Sequence, residues 1–136
     1  MKERVTIKAK KEVEEIFKEY SEKTDMDAIA LTSKNGIPIV SHLKNDDENE
    51  SFSTLSATIL GASEVIFSSF EKQNPDFIVG NSEDSVLLVR EVGTNTVLSV
   101  LGDSENKEEM IQDMEEMVSE IDILEKASEI KEVLEK

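Results

Sequence analysis

Asn35-Gly36 lies between two short apolar runs in the stretch Asp27 to His42, DAIALTSKNGIPIVSH, and no other stretch narrows the possible folds as far. A type I′ turn needs positive φ at both central residues, which Asn-Gly adopts at little cost, so the pair predicts a β-hairpin. The first strand, Ala28 to Thr32, runs Ile29-Ala30-Leu31 without polar alternation. Cover on both of its faces follows, and with it an interior place in a sheet. The second strand contains Pro38. With no N–H to donate, proline confines that strand to a sheet edge or sits at its first residues.

The segments around the hairpin supply helices and more strands. Ala9, Val13, Ile16, Phe17 and Tyr20 fall on one side of a helix spanning Ala9 to Lys23, with Lys and Glu opposite, the pattern of a surface helix docked by one face. The acidic run Asn45 to Glu50 lacks the glycine and distal glutamate of an EF-hand loop. It reads as a solvated loop leading into a helix whose dipole favours acids at its start. That second helix, Ser53 to Lys72 with Ser51 or Ser53 as N-cap, carries Phe52, Leu55, Ile59, Ala62, Ser63, Ile66, Phe67 and Phe70 at helical spacing. Ser53, Thr54, Ser56, Ala57, Thr58, Gly61 and Ser68 occupy most of the face that ought to hold Lys and Glu. A helix with no charge between Ser51 and Ser63 in a chain that is 34% charged is expected to be covered on more than one side.

Asn74-Pro75-Asp76 ends the helix and opens a meander of three strands, Phe77 to Gly80, Val86 to Val92 and Thr96 to Leu101, joined by short connectors at Asn81 to Ser85 and Gly93-Thr94-Asn95. The near-continuous apolar runs Val86 to Val89 and Val97 to Leu101 again call for helices on both faces. Phe77-Ile78-Val79, beside Pro75, is a short apolar strand whose backbone donors a second subunit could satisfy if it lies at a free edge. After Gly102-Asp103-Ser104 comes a third helix, with Ser104 or Asn106 as N-cap and Met110, Met114, Met117, Ile121 and Leu124 as its seam. The apolar phase then slips to Ile123, Ala127, Ile130 and Leu134. A bend or break near Asp122 and a contact outside the sheet domain are expected there, which divides the chain into a domain at 1–122 and an acidic helical extension at 123–136.

Composition excludes more than it assigns. The chain has 136 residues, 38% hydrophobic, enough for one core. It has no cysteine and one histidine, His42, so thiolate chemistry and the usual zinc sets are unavailable. The formal net charge of -16 opposes a nucleic-acid backbone. The acids are concentrated from Asp103 to Lys136, where thirteen acidic residues meet four basic ones. No charged-then-apolar leader and no apolar run of spanning length is seen, so a soluble, cytoplasmic protein without membrane insertion is expected. The five glycines are scattered singly, so no phosphate loop exists, and neither a nucleophile elbow nor an orienting partner for His42 is visible. No catalytic, cofactor-binding or metal-ligating residue is assigned. A protein working through its surfaces remains.

The order helix, hairpin, helix, three-stranded meander, helix, with Ala28 to Ser33, Asn35 to Ile39, the uncharged helix Ser53 to Phe70 and the strands Val86 to Val89 and Val97 to Leu101, resembles the Roadblock/LC7 family. That family includes dynein light chains and MglB-type regulators of Ras-like GTPases. The likeness covers about Lys10 to Ile121; the acidic loop and the helix beyond Asp122 depart from it. It implies an α+β fold in the order α-β-β-α-β-β-β-α, a five-stranded antiparallel sheet sandwiched between helices, the second helix on one face and the first and third on the other. It also implies a homodimer paired through the third strand and second helix, placing contacts on Phe77, Ile78 and Val79 and on exposed helix positions such as Ser56, Ile59 and Ser63. The function implied is a non-catalytic regulator or scaffold that binds a small Ras-like GTPase; the family offers no contact motif to match residue by residue. A PAS- or profilin-like domain binding a small ligand between helix and sheet is the alternative reading.

Overall fold

A computed structural model describes the backbone at residues 2–93 and 95–135 and the side chains at residues 9–45, 47–93 and 95–127. Thr94 of the last strand connector and the side chains of Ile130 and Leu134 lie outside the described residues. The elements in order are α1 (Lys2–Thr24), β1 (Met26–Ser33), β2 (Pro38–Leu43), a 3-10 turn (Asp46–Glu48), α2 (Asn49–Ser69), β3 (Ile78–Asn81), β4 (Ser85–Val92), β5 (Thr96–Asp103), a second 3-10 turn (Ser104–Asn106) and α3 (Lys107–Glu135). The five strands form one antiparallel sheet in the order β2-β1-β5-β4-β3.

The hairpin forms, with a different turn from the one expected. Gly36 has φ 91° while Asn35 does not enter the positive-φ region, so the connection is not type I′. Gly36 N donates to Ser33 O at 2.9 Å and Ser33 N donates to Ile37 O at 2.9 Å, which is a tight turn closing into a glycine bulge. The extra residue lets Pro38 enter as the first residue of β2, opposite Thr32, where the register shifts. Its missing donor therefore costs the ladder nothing, and β2 is an edge strand with β1 interior, as proline predicts.

One face of the sheet carries the main core. Val13 and Phe17 of α1, Ile29 and Leu31 of β1, Leu88 of β4, Leu98 and Val100 of β5, and Met110, Met114, Met117 and Ile121 of α3 are all buried in one cluster. The two helices run antiparallel over it. Lys23 Nζ meets Asp113 Oδ1 at 3.2 Å, Thr24 Oγ1 donates to Asp113 Oδ2, and one turn along Tyr20 OH donates to Glu116 Oε2 at 3.0 Å. Asp113 is buried and would be destabilising without those donors. Burial first, then the Glu116 bond and neighbouring carboxylates, pushes the Tyr20 phenol well above its ordinary range. Gly102 of β5 admits Met110 closely, since a Cβ there would lie 2.9 Å from the Met110 sulfur.

Three helix boundaries differ from expectation. α1 begins at Lys2 rather than Ala9, and α3 runs as a single helix through Asp122 with no break, Leu124 still packing on the core. α2 begins at Asn49 and has no side-chain cap. The acidic run itself turns into the helix, with Asn45 Oδ1 accepting from Asp47 N at 3.2 Å, so neither Ser51 nor Ser53 is free to cap it. Ser104 to Asn106 likewise form a 3-10 turn before α3, and Asn106 Nδ2 donates to Thr24 O at 3.2 Å.

Candidate self-association surface

α2 covers the opposite face of the sheet and touches all five strands. Ile29 and Leu31 of β1 point into the main core, so strand alternation turns Ala28, Ala30 and Thr32 toward α2. Ser99 of β5, opposite Ala30, joins them. These are small side chains, and a helix can approach such a surface closely only with small residues of its own. Ser53, Ser56, Ala57 and Leu60, at helical spacing, are accordingly the buried residues of α2. The helix start rests on the hairpin: Thr54 Oγ1 donates to Gly36 O at 3.2 Å, and a Cβ on Gly36 would lie 3.4 Å from Thr54 Cα.

Apart from Leu60, the bulkiest apolar residues along and just after α2 mostly face away. Leu55 is 61% exposed, Ile59 37%, Ile66 58% and Phe70 73%. At spacings of four, seven and four they form one stripe, with Ala62 filling the gap at the three-four rhythm of a helix-helix seam. A helix apolar on nearly every side belongs in an interior rather than on a surface. Beside its C-terminal half lies β3, an edge strand paired only with β4. The chain reaches it through Glu71, whose φ of 59° and the bond from Lys72 N to Phe67 O at 2.8 Å reverse the backbone after the helix.

The residues expected at the dimer contact fall in different places. Ile59 is on the outward stripe, while Ser63 is half-buried. Ser56, expected on an exposed position, is 2% exposed and sits against the sheet, because the Ala-rich face of β1 selects the small side of the helix. Ile78 is half-buried on the α2 side with Leu60, Val89 and Val97. Phe77, just before β3, and Val79 pack from the other side against the main core. Leu55, Ile66 and Phe70 are the members of the stripe that sequence reasoning did not assign to a contact, although their helical spacing was readable; the sign of the face was not.

Charge enters this surface only at its margin. Lys34 Nζ lies 2.9 Å from Glu91 Oε1 of β4 and 3.6 Å from Glu64 Oε2 of α2. The Glu91 bond, helped by Glu64 and opposed by partial burial, leaves the ammonium above its ordinary pKa. Asn74 Nδ2 also donates to Glu64, at 3.2 Å. Among the described residues no group of His, Asp or Glu could hold a metal ion, and no helix is long and apolar enough to cross a membrane.

Comparison with known proteins places this architecture. Residues 12–102 match the sequence profile of the Roadblock/LC7 domain. The fold is similar to Myxococcus xanthus MglB, with 15% identity, 85% of this chain and 89% of that chain covered, and a TM-score of 0.77. It is also similar to an MglB with tetrameric arrangement, with 14% identity, 88% and 92% covered, and a TM-score of 0.79. A Roadblock/LC7 domain from Streptomyces avermitilis aligns with 18% identity, 71% and 82% covered, and a TM-score of 0.66. No curated protein sequence matches the chain.

Proposed function

The chain belongs to the Roadblock/LC7 domain family, and from that premise we propose that it is a non-catalytic, homodimeric regulator or scaffold whose dimer binds a small Ras-like GTPase. The observation that carries the dimer is the uncharged stripe Leu55, Ile59, Ile66 and Phe70 beside the unpaired edge of β3. Two copies of a chain with net charge -16 repel over most of their surfaces. Only a face free of carboxylates can bring them together, and α2 has no charge from Ser51 to Ser63. Pairing β3 with its copy would satisfy edge donors and acceptors while the α2 stripes bury one another. The GTPase partner follows from the family, whose members act as adaptors or as regulators of Ras-like GTPases.

Two measurements test this. Sedimentation velocity on the full chain is expected to give a dimer at micromolar concentration; a monomer throughout overturns the assembly. Affinity capture from the native cell extract with GTP-analogue and GDP loading is expected to retain a Ras-like GTPase in one nucleotide state. Failure to retain one in either state overturns the partner and leaves the dimer standing.

A further inference from the structure

We propose that α2 opens from the sheet as a unit in the monomer, and that self-association through its outward stripe is what holds it closed; this rests on the homodimer proposed above. Attachment of α2 is weak for reasons independent of the dimer. Among the described residues the cluster beneath it has three buried members, Leu60, Val89 and Val97, against fifteen under α1 and α3. Across the α2 interface, Thr32, Ser53 and Ser99 are fully buried and their hydroxyl oxygens find no hydrogen-bond partner among the described residues. Those hydroxyls add no direct bond between helix and sheet.

The helix also has little intrinsic stability. Nine of its 21 residues are Ser, Thr or Gly, which are poor formers in a helix interior. Thr58 and Ser69 bond back to the carbonyls of Thr54 and Val65 and therefore add nothing across the interface. Its N-terminus has no side-chain cap. Direct polar ties to the rest of the fold are peripheral: the Thr54 bond to Gly36, the Lys34 pair with Glu64 and the Asn74 bond to Glu64. An element with few apolar contacts and low propensity opens at a fraction of the global free energy. Since the inward face closes the sheet and the outward stripe closes the dimer, both closures act on one helix and reinforce each other by mass action. Whatever competes for the outward stripe then also loosens the sheet face, which makes α2 the route by which a bound partner reaches the sheet.

Hydrogen exchange read by mass spectrometry on the full chain, at concentrations above and below the dimer midpoint, tests the coupling. At a total chain concentration of about 100 times the dissociation constant, where roughly 7% of chains remain monomeric, α2 exchange is expected to be roughly 15-fold slower than in the monomer. Residues 110–121 of α3 are expected to stay slow throughout. Ile66→Asp is expected to leave α2 fast at every concentration, and wild-type dilution gives the same readout if that variant folds poorly. A dimer that dissociates on dilution while α2 stays as protected as α3 overturns the inference and spares the dimer. A chain that sediments as a monomer at all concentrations overturns the coupling together with the dimer, whatever the α2 rate.

Discussion

Phe17, Met110 and Met117 on one face of the sheet are sealed from solvent, and the one buried carboxylate among the described residues there, Asp113, receives both Thr24 and Lys23, whereas Arg90 Nε of β4 on that face has no partner among the described residues. On the other face the covering helix turns Ser53, Ser56 and Ala57 inward and leaves Leu55 and Ile66 outside. The two faces of one sheet are thus packed for different ends. The first buries large side chains from two helices around one bonded carboxylate. The second uses small side chains that bring a helix close without burying much area, and its apolar surface is left for something else to cover.

The contrast breaks most easily at the core itself. Phe17→Ala, removing a ring that is fully buried, is expected to lose about 3–5 kcal/mol of unfolding free energy by urea titration. Leu60→Ala under α2 is expected near the low end of the roughly 2–5 kcal/mol range for such truncations, because a loosely held helix can settle into the gap. Equal losses at the two sites would remove the distinction. A second measurement concerns the outward stripe. Ile66→Asp is expected to weaken dimerisation by about 2 kcal/mol or more, as for a central contact residue, read by sedimentation equilibrium. The unfolding free energy of the monomer should move by no more than about 0.5 kcal/mol, since Ile66 touches no core. A large monomer loss would show that the residue is packed after all.

How much of this was readable beforehand divides along the same line. Pro38 announced an edge strand because a missing N–H is a local property, and the uninterrupted Ile29-Ala30-Leu31 announced an interior one for a similar reason. The α1 and α3 faces were legible because Lys and Glu mark their outer sides. α2 offered no such mark. With both faces uncharged, its orientation is decided by Ala28, Ala30, Thr32 and Ser99, and their common face appears only once β1 is registered against β5. Helical spacing alone therefore reads Ser56 as outward, whereas it packs inward, and does not single out Leu55, Ile66 and Phe70 as the exposed stripe. The turn at Asn35-Gly36 was missed for a smaller reason: the same dipeptide serves both a type I′ turn and a turn ending in a glycine bulge, and the residue count before Pro38 selects the second.

Threonine offers the sharpest test of matched against unmatched polarity. Thr24→Val removes a donor from the buried Asp113 carboxylate and is expected to cost about 2 kcal/mol, the range for bonds to charged groups. Thr32→Val removes a hydroxyl with no partner among the described residues from a similarly buried site. It is expected to stabilise the chain by about 1 kcal/mol, because desolvation of the hydroxyl is no longer required. Opposite signs from one substitution in two threonines, measured by the same urea titration, would separate the faces more cleanly than either core truncation.

The smallest effect expected is at Lys34, where the loose face is tied at its margin to Glu91 and Glu64. The ammonium is more than a third exposed, so solvent screens the pair, and Lys34→Met should cost less than about 1 kcal/mol. Its pH dependence has a definite sign. A lysine whose folded pKa lies above its unfolded value stabilises the fold fully below the unfolded value and loses that contribution as pH rises through the folded one. The wild-type advantage over Lys34→Met is therefore expected to be constant between neutral pH and pH of about 9 and to vanish only above the ordinary lysine range. Added salt should shrink it at any pH, while strengthening the dimer by screening two chains of net charge -16. Salt thus moves the two closures of α2 in opposite directions, and the larger change should be in the dimer, where whole-chain repulsion outweighs one exposed pair.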